Sequence, residues 1–331
     1  MGPLFCLLSA VGFGAMGVFG KLAYDAGVSV DALLLIRFGL AATLLLVIAS
    51  ARGALRGLSG RSVLIGLGMG GFGYAVQAGL YFSALARIDA SLVALLLYVY
   101  PVLVVAAAVA IGRERASRRR VCALGIALAG IVLVLSGAAS GRFDVLGALM
   151  ALGAALTYTG YILVGDRAAA DVPPLGLAAL VCTGATATLG LGSLVRGGPG
   201  LTFGPVGWLW LAALALVSTV VPILLFFAGL ARVGPSVAAI LSILEPVVTV
   251  VGAASLFGES LTAAQLLGGA LVLAAVLVVQ WPTRRAAAHR HRHRRRQPQP
   301  SRAPRTRRSP PRRPRRRPSR PATRAGAPPP S

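Results

Sequence analysis

Acidic residues are nearly missing from this chain, with 9 Asp and Glu against 33 Lys and Arg in 331 residues. Charge of either sign is sparse before position 282, because 18 of the arginines lie in residues 282–331, which hold no acid. Long stretches therefore contain no group that demands water, while hydrophobic residues reach 56% and the mean hydropathy +0.78. A soluble globule of this composition would have to expose large apolar patches, which excludes that class. Histidine is limited to His289, His291 and His293, and neither His-Glu-x-x-His nor a Gly-rich loop followed by Lys-Ser/Thr occurs. Zinc proteolysis and ATP-driven work thus lack their residues, and no suitable pair of intramembrane aspartates is present for aspartyl proteolysis. Cysteine is limited to Cys6, Cys122 and Cys182, whose scatter gives neither a disulfide framework nor a metal-ligand spacing. No enzyme activity, catalytic residue, cofactor or metal is expected.

What the chain does have is apolar length. Ten runs fall near 3–23, 30–50, 63–86, 90–112, 120–138, 144–165, 173–195, 206–230, 235–257 and 261–281. Each approaches the roughly 20 residues that carry a helix across about 30 Å of hydrocarbon. Continuous runs favour helices over a barrel, whose strands would alternate apolar and polar residues. Met1-Gly2-Pro3 has no basic n-region and no small-residue cleavage site follows, so the first helix is predicted to be retained. Cys6 stands where a myristoylation motif would carry Ser or Thr.

One segment occurs twice. Ala86-Arg87-Ile88-Asp89-Ala90-Ser91-Leu92 returns as Ala231-Arg232-Val233-Gly234-Pro235-Ser236-Val237, and the register holds without a gap through Pro101/Pro246 to Glu114/Glu259 at a constant offset of 145 positions. Duplicated apolar segments are the sequence sign of a transporter built from repeats. Five helices per half is an odd number, so the second copy must enter the membrane from the opposite side. Arginine placement agrees. With both termini cytoplasmic, Arg52, Arg56, Arg61, Arg113, Arg115, Arg118, Arg119 and Arg120 lie inside, while the outer loops hold only Lys21, Arg87, Arg142 and Arg196. The expected architecture is an all-α integral membrane protein of ten transmembrane helices in two inverted five-helix repeats, 1–138 and 139–281. Residues 282–331 form a basic Arg/Pro-rich cytoplasmic tail that should stay disordered. The tail could tether to anionic lipid, at about 1 kcal/mol per Arg near the surface, or to nucleic acid, or it could only fix topology.

These features resemble the EamA-like drug/metabolite transporter superfamily. The resemblance covers nearly all of residues 4–281. It rests on two Ala-Arg-x-x-x-Ser entries, on the proline-centred helices with terminal Glu (Tyr100-Pro101 with Glu114, Glu245-Pro246 with Glu259), and on Gly12, Gly14, Gly17, Lys21 and Arg37-Phe38 in the opening helices. It implies transport of small metabolites across the plasma or inner cell membrane. The arginine-rich tail is a departure from the family pattern.

Polar groups inside the apolar runs mark the candidate site. Glu245 is the acid predicted deepest in the membrane, where an ionised carboxylate costs at least about 2.5–3.5 kcal/mol, so it should be protonated, paired or facing water. Ser242, Glu245, Thr249 and Gly252 share one helical face, predicted to line a central cavity. Pro246 frees a carbonyl beside them, as Pro101 and Pro222 do in their own helices. Tyr100 is the counterpart of Glu245 in the first half. Gln77, Tyr74 and Tyr81 in the third run and Thr157, Tyr158 and Tyr161 in the sixth complete the substrate-binding candidates, with interface packing as the alternative for each tyrosine. Glu245 could equally be satisfied by a neighbouring hydroxyl. Gly66, Gly70 and Gly73 read as a helix-packing surface. Arg37 could reach the outer headgroups, or pair with Asp31 or a cavity acid. Glu114 and Glu259 sit at span ends, where capping and loop pairing are the default.

The expected function is secondary export of a small-molecule solute (a metabolite, amino acid or drug) by a monomer using alternating access. Proton exchange at Glu245 or the solute gradient would drive it. The alternative is a membrane anchor whose tail recruits anionic lipid, nucleic acid or acidic partners.

Overall fold

The computed structural model describes residues 1–113, 116–138, 144–168 and 172–280. Glu114, Arg142 and the tail 281–331, with the expectations attached to them, lie outside the described residues. Among the described residues every regular element is helical. We number the spans α1 (Gly2–Asp25), α2 (Val30–Ala51), α3 (Gly60–Leu85), α4 (Ala90–Ala110), α5 (Arg118–Ala138), α6 (Val145–Ala168), α7 (Pro174–Val195), α8 (Pro205–Val233), α9 (Pro235–Leu241 and Leu244–Phe257) and α10 (Ala263–Gln280). Among the described residues, nine of these, with the two pieces of α4 taken together, are long and apolar enough to cross a bilayer, and Leu244–Phe257 of α9 is a shorter apolar helix. Leu64, Phe72, Val132, Leu149 and Leu191 are exposed, as a surface solvated by acyl chains requires.

Local chemistry explains the helix ends. Ser29 accepts from the Ala32 amide at 3.2 Å and Ser59 from the Ser62 amide at 3.1 Å, capping α2 and α3. Thr262 and Gln265 form a reciprocal capping box, at 3.2 and 2.8 Å, which starts α10 at Ala263 instead of the predicted 261. Gly258 ends α9 at φ +65°, a left-handed conformation that an L side chain would strain.

The interior prolines act more sharply than a kink. α4 is interrupted between Leu97 and Tyr100, and α9 between Leu241 and Leu244, so neither run is the continuous helix its hydropathy suggests. Pro101 and Pro246 cannot donate to the preceding turn, but each fits the first turn of a new helix. In α8, Pro222 follows a π-helical stretch, Leu216–Val220, and α3 carries its own π stretch at Met69–Tyr74. These paired irregularities fall at corresponding places in the two halves, and Gly60 and Pro205, which open α3 and α8, are again 145 positions apart.

Packing obeys the same two-fold logic. α1 packs on α8 and α9, and its counterpart α6 packs on α3 and α4, so each half's first helix is embraced by the other half. α2 packs against α7 and α5 against α10, each helix on its own duplicate. Bare backbone makes the self-pairs possible. A Cβ on Gly130 would lie 2.7 Å from the Gly268 carbonyl oxygen, and one on Gly268 would lie 2.5 Å from that of Gly130.

Candidate functional site

Where the two halves meet, α1–α4 and α6–α9 enclose a cavity of about 340 Å³. That lies within the roughly 300–1,000 Å³ of small-molecule sites. Its wall reaches Pro174, the first residue of α7, on the face that carries Arg52, Arg56 and Arg113. Toward the opposite face its lining includes Met16 of α1, Phe82 near the end of α3 and Ala94 in the first turns of α4.

Breaking α9 brings Ser242 and Glu245 to this wall. Glu245 stands in the first turn of the second piece, half-buried, with its carboxyl beside the Ser242 hydroxyl. The Tyr98 phenol donates to the Ser242 carbonyl, tying the interruption of α4 to that of α9. The predicted polar face of α9 is divided in use. Thr249 borders the cavity, but it is buried and its hydroxyl donates to the Gly14 carbonyl at 2.7 Å. Gly252 meets Val18 of α1 and does not line the cavity. Gly14 itself leaves no room, since a Cβ there would fall 2.5 Å from the Glu245 carbonyl oxygen.

Tyrosines make most of one wall. Tyr98, Tyr100, Tyr158, Tyr161 and Tyr74 form a continuous series with successive ring centroids 5.7, 4.6, 5.9 and 5.7 Å apart. Tyr81 and Gln77 also line the cavity. The sequence-predicted residues Glu245, Tyr100, Ser242, Gln77, Tyr74, Tyr81 and Tyr161 are thus brought together. Thr157 is not, because its hydroxyl turns back onto the Gly153 carbonyl at 2.8 Å. Pro246 lies in the wall, whereas Pro222 packs under α1, its carbonyl accepting from Ser9 at 2.8 Å. The glycine surface of α3 meets α6 and α7, with Gly70 against the Val181 backbone and Gly73 against Tyr161.

Arg37 neither reaches a headgroup nor pairs with Asp31, which binds Arg196 at 2.7 Å. Its side chain turns inward, 1% exposed, with Nε donating to Thr219 Oγ1 at 2.9 Å. Phe38 and Phe82 flank the guanidinium at 4.9 and 5.1 Å, and the Tyr74 phenol lies beside it. Among the described residues, Arg37 and Glu245 are the two charged side chains in the wall. Composition and hydropathy do not reveal this role for Arg37. The repeat does carry a signal, because Arg37-Phe38-Gly39 lies 145 positions before Cys182-Thr183-Gly184, and Cys182 is in the same wall.

The face beyond Met16 and Ala94 is held by charge. Lys21 Nζ bonds Glu259 Oε1 at 2.8 Å and lies 3.5 Å from Asp89. The Glu259 carboxylate also accepts from the Ala90 and Ser91 amides at 3.0 Å each, capping α4 from the other half of the chain. Burial alone would raise the Glu259 carboxyl, but the Lys21 ammonium and these two amides outweigh it and hold it below the ordinary range. On the same face Arg87 meets Asp144 at 3.2 Å. The Gly147 amide first, then Arg87, keeps Asp144 below its usual range.

A model of the EamA-like transporter family matches residues 1–136 and 145–281. An uncharacterized transporter of Archaeoglobus fulgidus is 34% identical over 213 residues, covering 64% of this chain and 74% of that protein. The uncharacterized transporter YcbK of Bacillus subtilis is 28% identical over 276 residues, 81% of this chain and 88% of its own. The threonine/homoserine exporter RhtA of Salmonella typhimurium is 31% identical over 175 residues, 48% of this chain and 54% of that protein. A solved chain of 20% identity shares the fold, with a TM-score of 0.63 over 86% of this chain and 98% of its own.

Proposed function

The chain belongs to the EamA-like transporter family, and from that premise we propose that it exports a small solute by alternating access through the cavity between its two halves. It is a multi-pass membrane transporter of small molecules. The observation that carries the finer reading is the cavity itself, a mostly apolar chamber with Arg37, Glu245, Gln77 and a row of tyrosine phenols in its wall, set at the junction of inverted repeats, bounded by broken helices and lined as far as the first residue of α7. By the positive-inside rule the arginine excess favours the cytoplasm for the face beside Pro174, which we read as the open one, with both termini on that side. The chamber is then loaded from inside, as export requires, while the Lys21–Glu259 contacts and the α4 cap close the outer side.

Rocking of the two halves about the chamber would open the outer contacts and close the inner mouth. Glu245 is placed to exchange a proton as the chamber changes sides, since burial against the halves' junction disfavours its charge unless water or solute compensates. Similarity to RhtA makes amino acids the first solutes to try. One polypeptide contains both halves, so a monomer suffices.

Metabolite profiles of cells and medium, with and without the gene, should show a solute retained in cells that lack it. The same solute should then leave proteoliposomes containing the purified chain. A full set of profiles that differ in nothing ends the export reading. If Glu245→Gln transports at an unaltered rate and with unaltered pH dependence, the coupling role falls while export stands.

A further inference from the structure

Burying a guanidinium without a carboxylate is costly. An unpaired charge in a low-dielectric interior forfeits its hydration, so such groups pair, face water or hold a ligand. Arg37 has no ion pair with any described Asp or Glu. Its Nε is used by Thr219, and its plane is held between Phe38 and Phe82. Its Nη2 is buried without any hydrogen-bond partner, although the side chain forms part of the cavity wall. The neighbours that fix it come from three different helices: Thr219 of α8, Tyr74 and Phe82 of α3, and Phe38 of α2. An unpartnered guanidinium N–H sealed just behind a cavity wall suits a planar anion that enters the cavity and shifts the side chains covering it, because the guanidinium fork matches a carboxylate edge to edge.

Resting on the export reading of this chamber, we infer that Arg37 is the anchor for a carboxylate on the transported solute, through Nη2. The rest of the solute lies along the tyrosine series from Tyr74 to Tyr100 toward Glu245. An α-amino acid, whose two charges share one carbon, gives its carboxylate to Arg37, whereas reaching Glu245 as well takes a cationic group set further along the solute. The aromatic wall then takes its side chain, and the chamber of about 340 Å³ sets the upper size. Such a carboxylate completes the hydrogen bonding of Nη2 and neutralises Arg37 during passage. It removes from the interior the charge that would otherwise oppose movement of the two halves.

Matched pairs that differ only at the carboxyl carbon test this on the purified full chain. L-threonine, L-leucine and L-phenylalanine are compared with their primary amides, and benzoate with benzamide, by ligand-induced shifts in melting temperature and by proteoliposome counterflow. At least one carboxylate is expected to bind wild type about tenfold or more tightly than its amide, the size of a lost charged hydrogen bond. Arg37→Gln should erase that preference and Arg37→Lys restore part of it. A purely structural Arg37 would lower stability in both variants and leave the carboxylate-to-amide ratio of any remaining binding unchanged, which overturns the inference. Amides binding as well as acids in wild type, or no acid of the panel binding, overturns it without any variant. A wild type that exports other, uncharged or cationic solutes under those conditions defeats the anchor and leaves the export reading standing.

Discussion

The two halves of this protein are nearly one structure, and they differ where the cavity is charged. At one pair of positions the first half places Tyr100 and the second Glu245; at another the first half places Arg37 and the second Cys182. All four side chains line the same chamber. Two copies of the first half would put two guanidiniums there and two copies of the second two carboxylates, and like charges a few ångströms apart in a low dielectric repel by several kcal/mol or more. Each half carries one of the two charges and an uncharged residue at the other position. A symmetric scaffold thereby holds an asymmetric site, one pole on α2 and the other on α9, while helix starts, proline breaks and π segments remain matched.

Making the halves alike at these positions should have the largest effect. Glu245→Tyr, which gives the second half the residue of the first, is expected to lower proteoliposome transport by about tenfold or more, and Arg37→Cys likewise, each with the fold retained by circular dichroism. If both variants transport at the wild-type rate, the divergence between halves has no functional meaning. Where the halves are not divergent but share close backbone contact, the expected loss is of stability. A methyl on Gly184 would sit 2.1 Å from the Leu67 carbonyl oxygen, so Gly184→Ala should lower thermal stability by about 1–3 kcal/mol. Unchanged melting would mean that α3 and α7 part easily.

Smaller again is the outer closure. Glu259→Gln removes the charge that caps α4 and binds Lys21, which should cost about 0.5–2 kcal/mol. Because its folded carboxyl lies below the unfolded value of about 4.3, the stabilisation is complete above that pH. It should be lost as pH falls through the lower folded value. Wild type and Glu259→Gln melting curves are therefore expected to converge in acid and separate near neutrality; a constant gap across pH contradicts the ion-pair account. The smallest effect belongs to the surface. Asp144→Asn breaks an exposed contact with Arg87 and should leave both melting and transport unchanged within error.

The linear chain was sufficient for the solvent, the number of spans, the repeat and its inversion, because each follows from hydropathy, a constant offset and the parity of crossings. It also brought most of the chamber into view, since a carboxylate, a glutamine or a row of tyrosines within apolar runs is conspicuous against lipid. Thr157 and Thr249 show where that reasoning stops. A hydroxyl in a membrane helix can be satisfied by a backbone carbonyl, of its own helix for Thr157 and of α1 for Thr249, and hydropathy does not distinguish that from a hydroxyl held open to solute.

Only the tertiary structure decided the place of Arg37. A long side chain two turns into a helix can extend outward to headgroups or inward to a cavity, and the sequence permits both. The inward course depends on Thr219, Tyr74 and Phe82, which arrive from helices far along the chain and leave one nitrogen without a partner. The same holds for Glu259, whose partners Lys21, Ala90 and Ser91 lie in the other half. Composition and periodicity decide how much of a chain is buried in a bilayer. Which buried polar atoms satisfy one another, and which remain for a solute, is settled by contacts between distant segments that no local pattern encodes.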